Sequence, residues 1–194
     1  MSAVTQPRPP AQDELDELTL ARARRGEDAA CRTLVARYER PVFALLSRLL
    51  ANTGLAGQIE DLAQETFLRG FRALPTFRAP GPARLSTWLL TIATRLVLDE
   101  LKVRRPVFEP LDSADAVPSA ARADELSERN HAASAIARAV RALTPEHRAA
   151  FLLREAHGLS YEEVANALEV DVGTVKSRLS RARGALRAAL EELR

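Results

Sequence analysis

The stretch VDVGTVKSRLSRARGAL, Val170 to Leu186, sets Lys176, Arg178, Arg181 and Arg183 among short hydroxyl side chains. Four cations on one helix suit a polyanion only if they stand clear of the packed side. At about 100° per residue, Val175, Leu179, Ala182 and Leu186 project into one arc, the face expected to pack. Ser177, Ser180 and Arg181 project largely opposite. Lys176 and Arg183 flank one side and Arg178 the other. This is the layout of a recognition helix in a duplex major groove. Lys176 and Arg181 could donate to guanine O6 and N7, and Ser177 and Ser180 could bond either way. Arg178, Arg183 and the Thr174 hydroxyl are placed for phosphates. Gly173 predicts free backbone amides at a positive helix end, which also suits a phosphate. A solvated basic face would carry the same cations. Against it stand a capped helix and a turn just before.

That preceding chain must position the segment. LTPEHR predicts a helix with Thr144 as N-cap, Pro145 at the first position and Glu146 in the first turn. HGL, 157–159, ends it with a glycine. SYEE restarts at once, with Ser160 as cap and Glu163 completing a capping box. A short turn at Glu169–Val172 follows. Two helices, a tight turn and a third helix predict a helix-turn-helix.

Two more faces lie upstream. In GQIEDLAQETFLRGFRAL, Ile59, Leu62, Ala63, Thr66, Phe67, Gly70 and Phe71 form a buried stripe. Opposite lie Asp61, Gln64, Glu65 and Leu68. An apolar residue among acids on an outer face is often harmless, but it can also mark a docking surface. In LSTWLLTIATRLVLDELKVRR, Leu85, Leu89, Ile92, Ala93 and Leu96 face inward. Thr87, Trp88, Thr91, Arg95 and Lys102 share the other side. A tryptophan beside arginine and lysine suits single-stranded nucleic acid through stacking and phosphate neutralisation. A tryptophan closing the core edge is the alternative.

The whole chain sets limits. It has 194 residues, 46% hydrophobic and 5% aromatic, with a net charge of +2. It is not a general polyanion binder, so local charge decides. The abundance of Ala, Leu and Arg favours helix. The one cysteine, Cys31, excludes an intramolecular disulfide and a Cys-based zinc cluster. His131, His147 and His157 lack metal-ligand spacing. No apolar run approaches the ~18 residues that span a bilayer, and the N-terminus lacks the order of a signal peptide. A soluble, cytoplasmic protein is expected.

Residues 1–12 hold three prolines and are expected to be disordered. Helical patterning fills 13–105, with a short helix at Leu15 and Leu18. A longer one, from about Glu27, puts Leu34, Tyr38, Leu45 and Leu49 on one stripe, and Pro41 is expected to kink it. FRAPGPAR is a loop. Residues 106–130 hold six acidic and two basic residues and no apolar period, and they read as a linker. Helical spacing resumes over 131–194. The expectation is an all-α chain of two helical domains, an N-terminal bundle and a C-terminal helix-turn-helix domain, joined by a flexible linker.

The chain resembles bacterial sigma factors of the extracytoplasmic-function type. ALTPEHRAAFLLREAHGLSYEEVANALEVDVGTVKSRLSRARGAL is similar to their region 4, above all in GLSYEEVA and VGTVKSRLSRAR. DLAQETFLRGFRAL and STWLLTIATRLVLDELKVRR are similar to region 2. The resemblance covers most of residues 14–190. It implies a factor that binds core RNA polymerase, directs it to a promoter and opens the DNA, with duplex and single-stranded promoter DNA as ligands. By resemblance, Asp61, Gln64, Glu65 and Leu68 would sit on the clamp helices of the largest polymerase subunit. Tyr161, Thr174, Lys176, Ser177, Arg178, Ser180, Arg181 and Arg183 would serve the −35 element. Arg84, Thr87, Trp88, Thr91, Arg95 and Lys102, with the FRAPGPAR loop, would serve the −10 element. The 77–88 stretch is longer and richer in Pro and Gly than is usual, and Arg95 stands where asparagine is common. Such proteins often have an anti-sigma partner. No Ser-His-Asp set, metal box or phosphate loop is present, so no enzyme activity, cofactor or membrane insertion is expected. The rival reading is a stand-alone dimeric helix-turn-helix regulator.

Overall fold

The computed structural model describes residues 14–77, 84–103 and 126–191. Residues 1–13, most of the FRAPGPAR loop and most of the expected linker lie outside the described residues. Among those described, all regular structure is helical.

Helix α1 (Glu17–Arg24) starts where the Asp16 carboxylate accepts from the Thr19 amide, and it buries Leu20 and Ala23. Leu18 points to solvent. Helix α2 (Asp28–Leu49) runs unbroken through Pro41 and buries Leu34, Tyr38, Val42, Leu45, Leu46 and Leu49. A proline costs one main-chain donor, and burial of this stripe outweighs that loss. Helix α3 (Ile59–Ala73) buries Leu62, Ala63, Thr66, Phe67 and Gly70, while Ile59 and Phe71 are half-buried. Gly70 is needed at one close approach, because a Cβ there would meet Leu89 Cδ2 at 3.0 Å. Helix α4 (Leu85–Val103) packs on α2 and α3.

In the C-terminal half, α5 (Leu126–Ala142) begins inside the stretch read as linker. Helix α6 (Pro145–Phe151) starts at the Thr144 cap and leads into a π-helical turn, Leu152–Ala156. The expected capping box is present at α7 (Tyr161–Leu168): the Ser160 hydroxyl accepts from the Glu163 amide, and the Glu163 carboxylate accepts from the Ser160 amide. Glu169, in the left-handed region at φ 54°, turns the chain into α8 (Val172–Glu191).

The halves do not stand apart. Their buried residues form one continuous cluster, with α4 against α7, and α6 against α2 and α4. Two arginines hold this contact, each closing a helix of the other half. Arg148, only 3% exposed, donates to Val140 O at 3.2 Å, Leu143 O at 3.0 Å and Arg141 O in its own half. It also donates to Leu49 O at 2.9 Å and Ala51 O at 2.5 Å, at the end of α2. A guanidinium fits there because the last carbonyls of a helix lack partners and carry the negative end of its dipole. Burial pulls the Arg148 pKa below the usual arginine value, with Arg141 as a lesser cause. In return, Arg95 on α4 donates to Asn166 O and Ala167 O at the end of α7, at 2.5 and 3.3 Å. It also pairs with Glu169 at 3.2 Å.

Candidate nucleic-acid interface

Helix α8 carries its packed seam where the periodicity put it. Val175, Leu179, Ala182 and Leu186 are 0, 1, 0 and 9% exposed. Lys176, Ser177, Ser180, Arg181 and Arg183 are exposed, and Thr174 and Arg178 half-buried. The Ser177 hydroxyl donates to Thr174 O at 2.9 Å, which leaves its lone pairs outward.

Two of the residues expected at phosphates have partners within the chain. The Asp171 carboxylate occupies the start of α8, accepting from the Thr174 amide and the Thr174 hydroxyl, each at 2.8 Å. These bonds, the hydroxyl first, hold its pKa below the usual carboxylate range. The helix end is therefore capped from within, and the Thr174 hydroxyl is engaged. Gly173 serves this cap, since a Cβ there would stand 2.9 Å from Asp171 Oδ1. The second is Arg183, whose guanidinium is paired with Glu155 at 2.6 Å. Tyr161 lies half-buried at the start of α7, with the Arg154 guanidinium 4.8 Å from its ring centroid. Lys176, Arg178 and Arg181 form the cationic part of the face, with Ser177 and Ser180 between them.

On α4, Leu85, Leu89, Ala93 and Leu96 are buried and Ile92 is half-buried. A second buried stripe, Thr87, Leu90, Thr94 and Val97, was not expected. It arises because α4 is contacted by α2, α3, α6 and α7, so more than one face is covered. Thr87, 5% exposed, is thereby corrected from a surface residue to a core one. Trp88 is half-buried, its ring 5.0 Å from that of Phe77 at a tilt of 36°. Arg84 and Thr91 are half-buried near it. Arg95 is held by α7, as described. Lys102 lies farther along the helix and pairs with Asp99 at 3.1 Å.

The outer face of α3 agrees with its sequence reading. Asp61, Gln64 and Leu68 are exposed, Leu68 by 43%, and half-buried Glu65 bonds Arg69 at 2.7 Å. Leu68 is not isolated. Val35 and Phe43 of α2 join Phe67, Leu68 and Phe71 in an open apolar groove edged by Glu39, Glu60 and Gln64.

The matched family models are Sigma-70 region 2, over residues 34–106, and Sigma-70 region 4, over 133–193. The ECF RNA polymerase sigma-E factor of Escherichia coli is 33% identical over 181 residues, covering 88% of this chain and 92% of the relative. The chain belongs to the sigma-70 family, as a sigma factor of the ECF type. RNA polymerase sigma-H factor of Pseudomonas aeruginosa is similar at 33% identity, covering 93% of this chain and 96% of its own length. A solved structure of CnrH with the cytosolic domain of CnrY matches with TM-score 0.59 and 26% identity, covering 91% of this chain and 97% of that one. A second, RpoE with the anti-sigma factor NepR from Bartonella quintana, shares the fold: TM-score 0.62 and 24% identity, over 82% of this chain and 96% of that one.

This sigma factor directs promoter-specific transcription initiation, with region 2 and region 4 as its two helical parts. No described helix is long and apolar enough to cross a membrane. The residues that sequence reasoning missed act at a distance. Phe43 and Val35 complete the sigma factor's groove from another helix, and Arg148 ties its halves together. Phe43, 38% exposed, was legible in principle as an apolar residue off the α2 stripe. Nothing in its sequence neighbourhood marks Arg148 as buried.

Proposed function

We propose that the exposed face of α8 reads the −35 element through Lys176, Ser177, Ser180 and Arg181. Arg178 and Tyr161 contact the flanking backbone, and Arg183 joins them once released from Glu155. The observation that carries this reading is the exposure of these side chains opposite a fully packed seam. The groove around Leu68, with Asp61, Gln64 and Glu65, receives the clamp helices of the largest polymerase subunit. An apolar groove with an acidic edge suits a helical partner whose apolar stripe is flanked by basic residues. Trp88, Thr91, Arg84 and Arg95 belong to the −10 surface, and use of Arg95 on DNA requires α4 to part from α7. Extruding a base costs a few kcal/mol, which stacking on Trp88 would offset.

The polymerase supplies the phosphodiester chemistry, and the chain itself performs no catalytic step. Residues 13–105 act as the polymerase and −10 unit, 131–194 as the −35 unit, and 106–130 as the connection. The setting is cytoplasmic. An anti-sigma protein is the expected inhibitor, as CnrH and RpoE are each found with a protein partner. Leu68→Glu tests the docking surface: holoenzyme assembly should be impaired while the helical circular dichroism signal stays unchanged. Normal assembly by that variant would remove the docking assignment.

A further inference from the structure

The N-terminal segment before α2 holds the chain on both sides of the 78–83 stretch. Glu14 reaches the first turn of α4, where its carboxylate accepts from the Leu85 amide at 3.2 Å and from the Ser86 hydroxyl. It also accepts from the Tyr38 hydroxyl at 3.2 Å. That hydroxyl in turn accepts from the Leu15 amide at 2.9 Å. Burial raises the Tyr38 pKa far above the usual phenol value, so it stays a neutral donor. On the other side, Arg24 donates to Phe77 O, with its guanidinium carbon 6.0 Å from the Phe77 ring centroid. Its Nε is buried without a partner, a cost accepted in holding this pose. Phe77 then meets Trp88 ring to ring.

From this geometry we infer that Glu14 and Arg24 are positioning residues for the −10 surface: together they fix the first turn of α4 and the Phe77–Trp88 pair. A carboxylate suits the start of α4, because the first amides of a helix lack partners and carry the positive end of its dipole. Neither residue need touch DNA. Each acts through the ring or helix turn that it holds. The inference rests on the proposed −10 role of Trp88.

The test uses full-length variants assembled with core polymerase. The probe is the fluorescently labelled non-template strand of a promoter that the unmodified holoenzyme opens. Glu14→Ala and Arg24→Ala should each weaken strand binding by about tenfold, since small misplacements of a binding group are costly. Core affinity and binding to the −35 duplex should stay unchanged, which a general loss of structure would not allow. Glu14→Gln keeps an acceptor for the Leu85 amide and should recover most of the loss. If Glu14→Ala melts below the assay temperature, Ser86→Ala carries the same test with one bond removed. Trp88→Ala is measured in parallel. If it loses the strand while the Glu14 and Arg24 variants keep it within twofold, the positioning role is wrong and the −10 reading stands. If Trp88→Ala also keeps the strand, both are overturned.

Discussion

Helix α8 is started by Asp171, three residues ahead of the Thr174 amide it accepts from, whereas α4 is started by Glu14, 71 residues away. The contrast continues along both helices. The basic face of α8 is shaped by its own periodicity and by a turn just before it. The face of α4 proposed for the −10 strand depends on Phe77, on the N-terminal segment and, at Arg95, on carbonyls 71 and 72 residues onward. The face proposed to read duplex is thus set mostly by nearby chain, with Arg183 paired to Glu155, 28 residues away. The other is assembled from distant chain and partly covered by the opposite half. Such a division would suit the proposed roles, with −35 contacts made on closed duplex and −10 contacts made as strands separate.

Perturbing the distant contacts should cost most. Arg148→Met removes a guanidinium that donates to five carbonyls, two of them in the other half; of these, Val140 O keeps the Leu143 amide. Leaving buried acceptors unpaired should cost about 3 kcal/mol or more in urea unfolding. If the contact joins the halves, both should lose protection from hydrogen exchange. Loss confined to 133–191 would restrict Arg148 to its own half.

His157, half-buried against the rest of the chain, gives an effect that pH can read. Burial, and secondarily Arg48, lowers its pKa to about 4, and its Nε2 is buried without a partner. The folded pKa lies below the unfolded value of about 6.5, so stability is complete above that pH and is lost as pH falls toward 4. Between pH 7 and 4.5 this one group should remove about 2–3 kcal/mol. His157→Asn should flatten that part of the profile, and an unchanged slope would assign the acid sensitivity elsewhere.

Local changes in the C-terminal half should be smaller and confined to it. Arg181→Ala should reduce discrimination between intact and altered −35 sequences by about 1–3 kcal/mol, with core affinity unchanged. Equal activity of the unsubstituted factor on both sequences would contradict the assignment. Ser160→Ala removes the hydroxyl of the capping box and should lower stability by about 1 kcal/mol, with no change in the −10 strand affinity of the holoenzyme.

The same contrast explains what could be read beforehand. A capping box, a proline at a helix start and a basic face opposite an apolar seam are short-range patterns, and they placed α6, α7 and α8. The α3 stripe and its outer face were legible for the same reason. The second buried stripe on α4, with Thr87 in it, was not, because it follows from four helices packing on one. Arg148 and Arg95 look like surface cations in sequence. Carbonyls at the ends of α2, α5 and α7 give them their places. At Thr174 the sequence reading left out a competitor: Asp171 is an intramolecular partner for the groups assigned to phosphate.

The most direct measurement is run-off transcription with purified core polymerase and a promoter-bearing template. The expected result is a discrete start that requires both the chain and core polymerase and is lost when either promoter element is altered. Binding of the free chain to duplex with no polymerase-dependent start, or no association with core at all, would contradict it.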